Sequence, residues 1–394
     1  MSEIKVNSIK GVGASTAAIT VNNTDGTCTA NITNNLSNRN LIINGAMQVA
    51  QRGTSSTVSG YGTVDRFNNN FGGADEALTQ AQVDLSSSDT PYSSGFRKAF
   101  KITNGNQTSG AGAADYVNIF TKLEAQDIAS SGWNYVSNSS SITLSFWVKS
   151  SVAQTMYVRL NANDASKAFS FAISVTTSWQ KITKTISGDS SLVFNNDNGS
   201  GLEIYFIPFY GTNYTTSGHT NDAWITDSGS DQVTDMTSTW WTTNDATFEF
   251  TGVQLEVNIS GVATDFEHRS YAQELALCQR YCQAIIHQAQ HQAIALGHAE
   301  ANNETEVIIP LKVQMRATPT FTFGGTLSGA MKVYERGAAI PDVSAISLVD
   351  SANEAAKMQI TVSATDLQNG NANLLYFYDN PSTPAERLIF SAEL

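Results

Sequence analysis

The stretch SITLSFWVKSS, residues 141–151, alternates apolar and polar side chains along its length. Successive side chains of a β-strand point to opposite faces, so the pattern predicts a strand with one buried and one outward face. The residues assigned to the buried face are Ile142, Leu144, Phe146 and Val148, and those assigned to the outward face are Thr143, Ser145, Trp147 and Lys149. This strand is the starting point for the prediction of an all-β protein.

Further segments of the same character lie on both sides of it. They are TMYVRL (155–160), AFSFAISV (168–175), WQKITKTIS (179–187), LEIYFIPFY (202–210) and ATFEFTGVQLEV (246–257). In the last of these, Gly252 shifts the alternation by one residue, as a β-bulge does. Short strands separated by Gly, Asn and Ser turns predict a jelly-roll β-sandwich over residues 39–268. The stretch NLIINGAMQVAQRGTS (40–55) is expected to be its first strand, bent at Asn44-Gly45.

The pattern changes on both sides of this domain. Residues 1–38 carry only short period-two pieces, which predict an extended β arm that attaches to a partner or forms a short stalk. Ser270 followed by Gln273 fits a capping box and starts a bridging helix or connector over 269–292. Cys278 and Cys282 lie at helical spacing, and AIIHQAQHQAIAL (284–296) either extends that helix or begins the next strand. Alternation returns to give a smaller C-terminal β domain over 293–394.

Composition restricts the partners. Of 394 residues, 14% are charged and 41% hydrophobic, and the formal net charge is −13. Such a chain is repelled by phosphate backbones and anionic lipids, so neither nucleic-acid binding nor membrane insertion is expected. The N-terminus shows no secretory signal. Cys28, Cys278 and Cys282 are expected to be free thiols.

No catalytic or cofactor site is predicted. His287 and His291 resemble a zinc-protease helix, but Gln288 stands where the general-base Glu is needed. These two residues and His298 are therefore not expected to form a metal site in the monomer, while a site on the symmetry axis of an oligomer stays open. Glu203 and Glu249 fall on the outward faces of strands, and no spacing forces a facing pair of carboxylates.

A polar segment over residues 210–245 supplies the candidate ligand-binding residues. Its aromatic side chains are Tyr210, Tyr214, Trp224, Trp240 and Trp241. Sugar rings stack on aromatic faces, and neighbouring Asn, Asp and Thr side chains hydrogen-bond to hydroxyls, so the segment predicts a glycan site. The alternative is that Trp240 or Trp241 opens the next strand and packs in the core.

Several motifs together resemble those of tail-fibre and other appendage proteins of tailed bacteriophages. They are NLIINGAMQVAQRGTS (40–55), YGTVDRF (61–67), FTGVQLEV (250–257), ATDFEHRSYAQELALCQRYC (263–282), MRATPTFTF (315–323) and FSAEL (390–394). Phe67 stands where the family commonly has Trp, and Asp265 where Pro is commoner. The resemblance covers most of residues 39–394.

The resemblance implies a β-sandwich similar to carbohydrate-binding modules, in a homotrimeric fibre that attaches to the virion through its N-terminal arm. It supplies no catalytic residues. The resulting hypothesis is a structural virion protein that is assembled in the host cytoplasm, contacts other virion proteins and recognises a host-surface polysaccharide. The alternatives are a structural head or tail decoration that binds no sugar and, less favoured, a polysaccharide depolymerase.

Trimer formation is directly testable. Thin alternating arms need partners, which identical copies around an axis supply. Light scattering at micromolar concentration should therefore give three times the chain mass of 42.3 kDa. A monodisperse species of one chain mass would contradict the trimer.

Overall fold

A computed structural model of the chain describes residues 6–12, 17, 19–22, 24, 28–30, 38–257, 262–337, 340–382 and 385–394. Among these residues, strands dominate and the α-helices are short: α1 is Ala125–Ala129, α2 is Thr239–Thr242 and α3 is Tyr271–Gln279. The predicted all-β class is confirmed.

The described part of the N-terminal arm is a small antiparallel sheet. Its strands are β1 (Ser8–Ile9), β2 (Ile19–Val21) and β3 (Cys28–Ala30), with β2 in the centre. Ile19 pairs with Ile9 on one side and with Ala30 on the other. The described residues of the arm therefore include three short β-strands, and the attachment role of the arm stays a prediction.

The next twelve strands form a sandwich of two antiparallel sheets. They are β4 (Ser55–Ser56), β5 (Asn68–Gly72), β6 (Thr79–Asp84), β7 (Lys98–Thr103), β8 (Tyr116–Glu124), β9 (Ser141–Ser150), β10 (Gln154–Ala162), β11 (Lys167–Val175), β12 (Gln180–Ser187), β13 (Ser200–Tyr210), β14 (Trp224–Thr226) and β15 (Thr247–Val257). Sheet 1 has the order β14-β11-β10-β13-β8-β5, and sheet 2 has the order β12-β9-β15-β7-β6-β4. The predicted jelly-roll sandwich is confirmed.

The two sheets share one apolar core. Phe206 of β13 stacks on Phe250 of β15 with ring centroids 4.5 Å apart, and Phe146 of β9 meets Phe206 edge-on at 5.0 Å. All three side chains are fully buried. Burying one such side chain contributes about 1.5–3 kcal/mol to folding. The predicted inner face of residues 141–151 is therefore the core face, which leaves the other face of each sheet outside.

The bulge predicted at Gly252 is present. The pairing of β15 with β9 shifts register between Thr251 and Gln254, and Gly252 has φ +66°. A Cβ at this glycine would lie 2.6 Å from Cζ of Phe96. Glycine is needed here because the backbone is left-handed and the Phe96 ring lies directly over it.

Residues 40–55 do not form the first strand of the sandwich, so that prediction is wrong. The segment is a series of turns up to the short β4, and Asn44 and Met47 have φ near +60°. The side chain of Asn44 is buried and donates to the carbonyls of Val49 and Asp65, both at 2.9 Å. A side chain that hydrogen-bonds its own neighbouring backbone competes with a strand ladder, which explains the turns.

The bridging helix α3 is shorter than the helical spacing indicates. Ser270 and Gln273 form the predicted capping box. The helix ends at Gln279, so Cys282 does not belong to it and instead opens β16 (Cys282–Ile286). The connector predicted over 269–292 thus contains a strand of the C-terminal unit. Pairing with a distant strand, which periodicity does not reveal, decides this segment.

The C-terminal unit contains two antiparallel sheets. Its remaining strands are β17 (Ala293–Ala301), β18 (Glu304–Pro310), β19 (Thr320–Gly324), β20 (Met331–Glu335), β21 (Val343–Ser351), β22 (Ala355–Val362), β23 (Ala372–Phe377) and β24 (Arg387–Ser391). Their orders are β16-β24-β19 and β20-β23-β17-β18-β22-β21. These sheets enclose a second apolar core, separate from that of the sandwich.

Buried ion pairs join the two units. Glu393, near the C-terminus, pairs with Arg66 and, at 3.1 Å, with Arg52 of the sandwich. The guanidinium of Arg66 lies 3.4 Å from the ring centroid of Tyr281, a cation–π contact. Removing one partner from such a buried group is strongly destabilising because it leaves the other charge uncompensated.

A second set of contacts extends the junction. Arg280 forms a bidentate pair with Glu124 of the sandwich at 2.6 and 2.7 Å, and the hydroxyl of Tyr281 donates to the same carboxylate at 2.6 Å. Gln51 donates to the carbonyl of Cys282 and to Asp65, both at 2.6 Å. Cys278 and Cys282 are buried free thiols, whereas the side chain of Cys28 lies outside the described residues.

Asp65 makes the junction sensitive to pH. Burial raises the pKa of this carboxyl to about 6, although Arg52 and Gln51 oppose the shift. The folded state therefore holds the proton more tightly than the unfolded chain, and this contribution to stability is full below the ordinary pKa near 3.8 and is lost as pH rises through about 6.

Asp65→Asn should remove that dependence. The free energy of unfolding of the parent minus that of the variant should fall by up to about 3 kcal/mol between pH 4 and pH 7. Urea unfolding across this range measures the difference. A difference that is constant with pH would show that Asp65 does not titrate in this window.

Candidate functional site

The outer face of sheet 1 carries aromatic and amide side chains at matching positions on neighbouring strands. Tyr116 of β8 pairs with Tyr210 of β13, and Asn118 pairs with Asn70 of β5. Arg159 of β10 pairs with Tyr205 of β13. Directly opposite residues on adjacent strands share a face, so these side chains project from the sandwich on the same side.

Residues 211–236, which follow β13 and include β14, contribute to a pocket on this face. The pocket has a volume of about 340 Å³. Its lining residues are Asn70, Tyr116, Asn118, Arg159, Asn161, Tyr205, Tyr210, Tyr214, Asp227, Gly229 and Gln232. This volume is at the lower end of the range for small-molecule sites. We call this pocket the tyrosine pocket.

Three tyrosine rings pack together at the tyrosine pocket. Tyr214 lies 5.5 Å from Tyr210 and 5.5 Å from Tyr116, measured between ring centroids, and the second contact is edge-on. The hydroxyl of Tyr210 accepts a hydrogen bond from Nδ2 of Asn118 at 3.0 Å. These contacts hold the rings in place before any ligand binds.

The tyrosine pocket also contains buried polar atoms that have no partner among the described residues. They are Oδ1 of Asn118, Oδ1 of Asn161 and Nε of Arg159. Nη2 of Arg159 is paired with Asp227, and this ion pair fixes the guanidinium group in position. The Nε–H of the same group has no partner among the described residues. Leaving a buried polar group unpaired costs about 1–3 kcal/mol, and a ligand that pairs with it recovers that cost.

The hydroxyls of Tyr205 and Tyr210 stay protonated over a wide pH range. Burial raises the pKa of Tyr210 above its ordinary value, and for Tyr205 burial and the adjacent carboxylate of Glu203 do the same. The pocket therefore offers aromatic rings with hydroxyl groups, buried unpaired amide acceptors and a buried unpaired guanidinium donor at Arg159 Nε.

The structure brings together only some of the five aromatic residues predicted from the sequence. Tyr210 and Tyr214 line the tyrosine pocket. Trp224 does not, because it pairs with the inward-facing Phe169 at the edge of sheet 1, 5.6 Å from that ring. Its indole N–H donates to the carbonyl of Ser187 at 2.9 Å.

The prediction that Trp240 and Trp241 contact a glycan is wrong, because both side chains are 0% exposed in the sandwich core. Trp241 stacks on Phe209 at 5.3 Å, and its indole N–H donates to the carbonyl of Gly110 at 3.1 Å. The indole N–H of Trp240 donates to the carbonyl of Thr247 at 3.1 Å. Neither ring presents a face to a ligand, and the alternative of core packing holds for both.

Sequence reasoning missed most of the tyrosine pocket. Tyr116, Asn118, Arg159, Asn161 and Tyr205 come from strands that are far apart in the chain. The available signal was their alternation with core residues along each strand. That signal identifies an outward face but not which strands are neighbours.

The three histidines considered for a metal site do not come together. His287 is buried, pairs with Glu386 at 2.8 Å and stacks on Phe377 at 4.3 Å. His298 lies instead in a group with Glu300 and Glu306, and the potential ligand atoms of these three residues lie within 4.8 Å of one another. Across the described ranges, no helix is long and apolar enough to cross a membrane.

The sequence matches no protein-family model and no curated protein. Among solved structures, it is similar to the family 11 carbohydrate-binding module of a Clostridium thermocellum cellulosomal cellulase (12% identity, TM-score 0.26, 55% of this chain and 98% of that one). It is also similar to the N-terminal cellulose-binding domain of Cellulomonas fimi β-1,4-glucanase C (12% identity, TM-score 0.25, 53% and 98%).

A third similar structure is the enzymatically active domain of tailspike protein 4 of bacteriophage CBA120, at 9% identity and TM-score 0.30, over 56% of this chain and 21% of that one. Likenesses this distant carry no inference about function.

The core placement of Trp240 predicts a large loss of stability on truncation. Trp240→Ala should lower the free energy of unfolding by about 3–5 kcal/mol because it leaves a cavity between the sheets. Urea unfolding measures it, and Tyr334→Ala, at a residue that is 47% exposed, is the control. Equal, small losses for both variants would contradict the burial of Trp240.

Proposed function

We propose that the protein binds a glycan in the tyrosine pocket and serves as a structural, receptor-binding fibre protein in the virion of a tailed bacteriophage. The observation that carries the binding proposal is the combination of packed tyrosine rings with the unpaired atoms Asn118 Oδ1, Asn161 Oδ1 and Arg159 Nε. A sugar matches both, because its C–H face packs on rings and its hydroxyls donate and accept hydrogen bonds.

The charge of the tyrosine pocket favours a neutral sugar. Arg159 and Asp227 neutralise each other in their ion pair. Among the buried unpaired atoms, two are amide acceptors and one is a donor, and hydroxyl groups supply donors as well as acceptors. A carboxylated sugar would bring a further negative charge to the amide oxygens without a free cation to balance it.

Binding without hydrolysis fits the lining better than a depolymerase. Glycoside hydrolysis generally uses two carboxyl groups on opposite sides of the scissile bond. Of the described residues that line the tyrosine pocket, only Asp227 has a carboxyl group, and it is held by Arg159. The pocket therefore supports recognition rather than bond cleavage.

The virion role is supported by the sequence resemblance to tail-fibre proteins and by the extended arm that precedes the sandwich. Adhesion through weak sugar sites gains strength when several copies act together, which suits a fibre with repeated subunits. In this proposal the arm contacts other virion proteins, and the tyrosine pocket faces a polysaccharide of the host surface.

Asn161→Ala is a direct test of the tyrosine pocket. Its Oδ1 has no partner in the described protein, so the change should not lower stability, but it removes one hydrogen bond to the ligand. Affinity for purified host-surface polysaccharide should fall about fivefold, the effect expected for one neutral hydrogen bond. Calorimetric titration of the full chain measures the change.

Asn134→Ala is the matched control, because Asn134 is exposed and does not line the pocket. It should leave affinity unchanged. Tyr214→Ala should weaken binding as Asn161→Ala does. If the parent protein binds the polysaccharide and neither pocket variant weakens it, the tyrosine pocket is not the site.

A further inference from the structure

A second pocket lies on the opposite side of the sandwich, on the outer face of sheet 2. Its volume is also about 340 Å³, and residues from β9, β12, β15 and the 263–268 segment line it. The central side chain is Trp147, which is half-buried and pairs across the strands with Lys181 and Thr251. We call this second pocket the Trp147 pocket.

Aromatic rings are fixed in position around it. Phe96 lies 4.8 Å from Phe266 and 5.1 Å from His268, measured between ring centroids, and Phe266 lies 4.9 Å from His268. The bulge at Gly252 allows Phe96 to sit over the backbone of β15. Bulges are frequent next to binding sites because they redirect side chains. The bulge in β15 thus shapes this wall.

The polar groups of the Trp147 pocket are mainly donors. The indole N–H of Trp147, the ammonium group of Lys181 and the hydroxyl of Ser145 form no hydrogen bond or ion pair with any described residue. Trp and Lys side chains can only donate. Asp265 contributes acceptors at the same pocket. This arrangement differs from the tyrosine pocket, where two of the three buried unpaired atoms are amide acceptors.

We infer that the Trp147 pocket is a second ligand site, for a sugar that carries an acetamido group. The carbonyl oxygen of that group accepts from Trp147 or Lys181, and its N–H donates to a carboxylate oxygen of Asp265. Its methyl group packs on the ring of Phe266, which is half-buried, as apolar groups do on aromatic faces. A plain hexose has hydroxyls but no such carbonyl and methyl pair.

The charges agree with a neutral ligand of this type. Lys181 and Asp265 line the same pocket, so a carboxylated sugar would be attracted by one and repelled by the other. An acetamido sugar uses both side chains without adding a charge. It also places its apolar methyl group on the half-buried ring of Phe266.

The test compares two disaccharides on the full chain, di-N-acetylchitobiose and cellobiose, which differ in their acetamido groups. Saturation-transfer NMR at millimolar ligand should give strong signals from the acetyl methyl protons, and cellobiose should compete poorly. Trp147→Phe keeps a ring but removes the N–H donor, so it should weaken chitobiose binding about fivefold. Lys181→Gln should weaken it to a similar extent.

Two controls separate this site from the tyrosine pocket. Lys101→Gln changes another outward lysine of sheet 2 that does not line the pocket, and it should have no effect. Asn161→Ala should leave chitobiose binding unchanged, whatever its effect on the host polysaccharide. The inference is overturned if chitobiose does not bind, if Trp147→Phe and Lys181→Gln bind it as the parent does, or if Asn161→Ala abolishes its binding.

Discussion

The packing of the two six-stranded sheets against each other is the constraint on which the rest of the structure depends. The contact between Phe206 and Phe250 at 4.5 Å lies in a core built from the inner face of each sheet. Because side chains alternate along a strand, every residue used for this core places its neighbour outside. The outer faces lie outside this core and carry polar and aromatic side chains, and both pockets lie on them.

The motifs that resemble tail-fibre proteins acquire a physical explanation at the junction between the sandwich and the C-terminal unit. Arg52 and Arg66, from two of those motifs, both pair with Glu393 of the terminal FSAEL. Arg280 and Tyr281, from a third, hold Glu124. Charged groups can be buried when they are paired and hydrogen-bonded, which makes these residues interdependent. These paired motif residues thus describe how the two units join, and the tyrosine pocket lies outside the motifs.

The sequence contained enough information to predict the class of fold and several local features. Alternation over 141–151 identifies the core face, and the disruption at Gly252 identifies the bulge, because both are properties of consecutive residues. The sequence pattern was misleading for residues 40–55, where it predicted a strand. There the side chain of Asn44 hydrogen-bonds to nearby backbone carbonyls, and the segment forms turns. The sequence pattern was ambiguous after Gln279, where it allowed either a longer helix or a strand. The segment forms a strand because β16 pairs with β24, about a hundred residues later in the chain.

The candidate site was less predictable for the same reason. Tyr210 and Tyr214 are close in sequence to Trp240 and Trp241, yet the first pair lines the tyrosine pocket and the second fills the core. Asn118 and Asn161 reach that pocket only because β13 lies between β8 and β10. Strand order is a property of the whole sheet, and residue spacing within one segment does not contain it.

A crystal structure of the protein with an oligosaccharide from the host-surface polysaccharide tests the central claim most directly. The account predicts a sugar ring in the tyrosine pocket, packed on Tyr210 and Tyr214, with hydroxyls bonded to Asn118 Oδ1, Asn161 Oδ1 and Arg159 Nε. A bound oligosaccharide that leaves these three atoms without contacts, or that occupies a different surface of the sandwich, would contradict it.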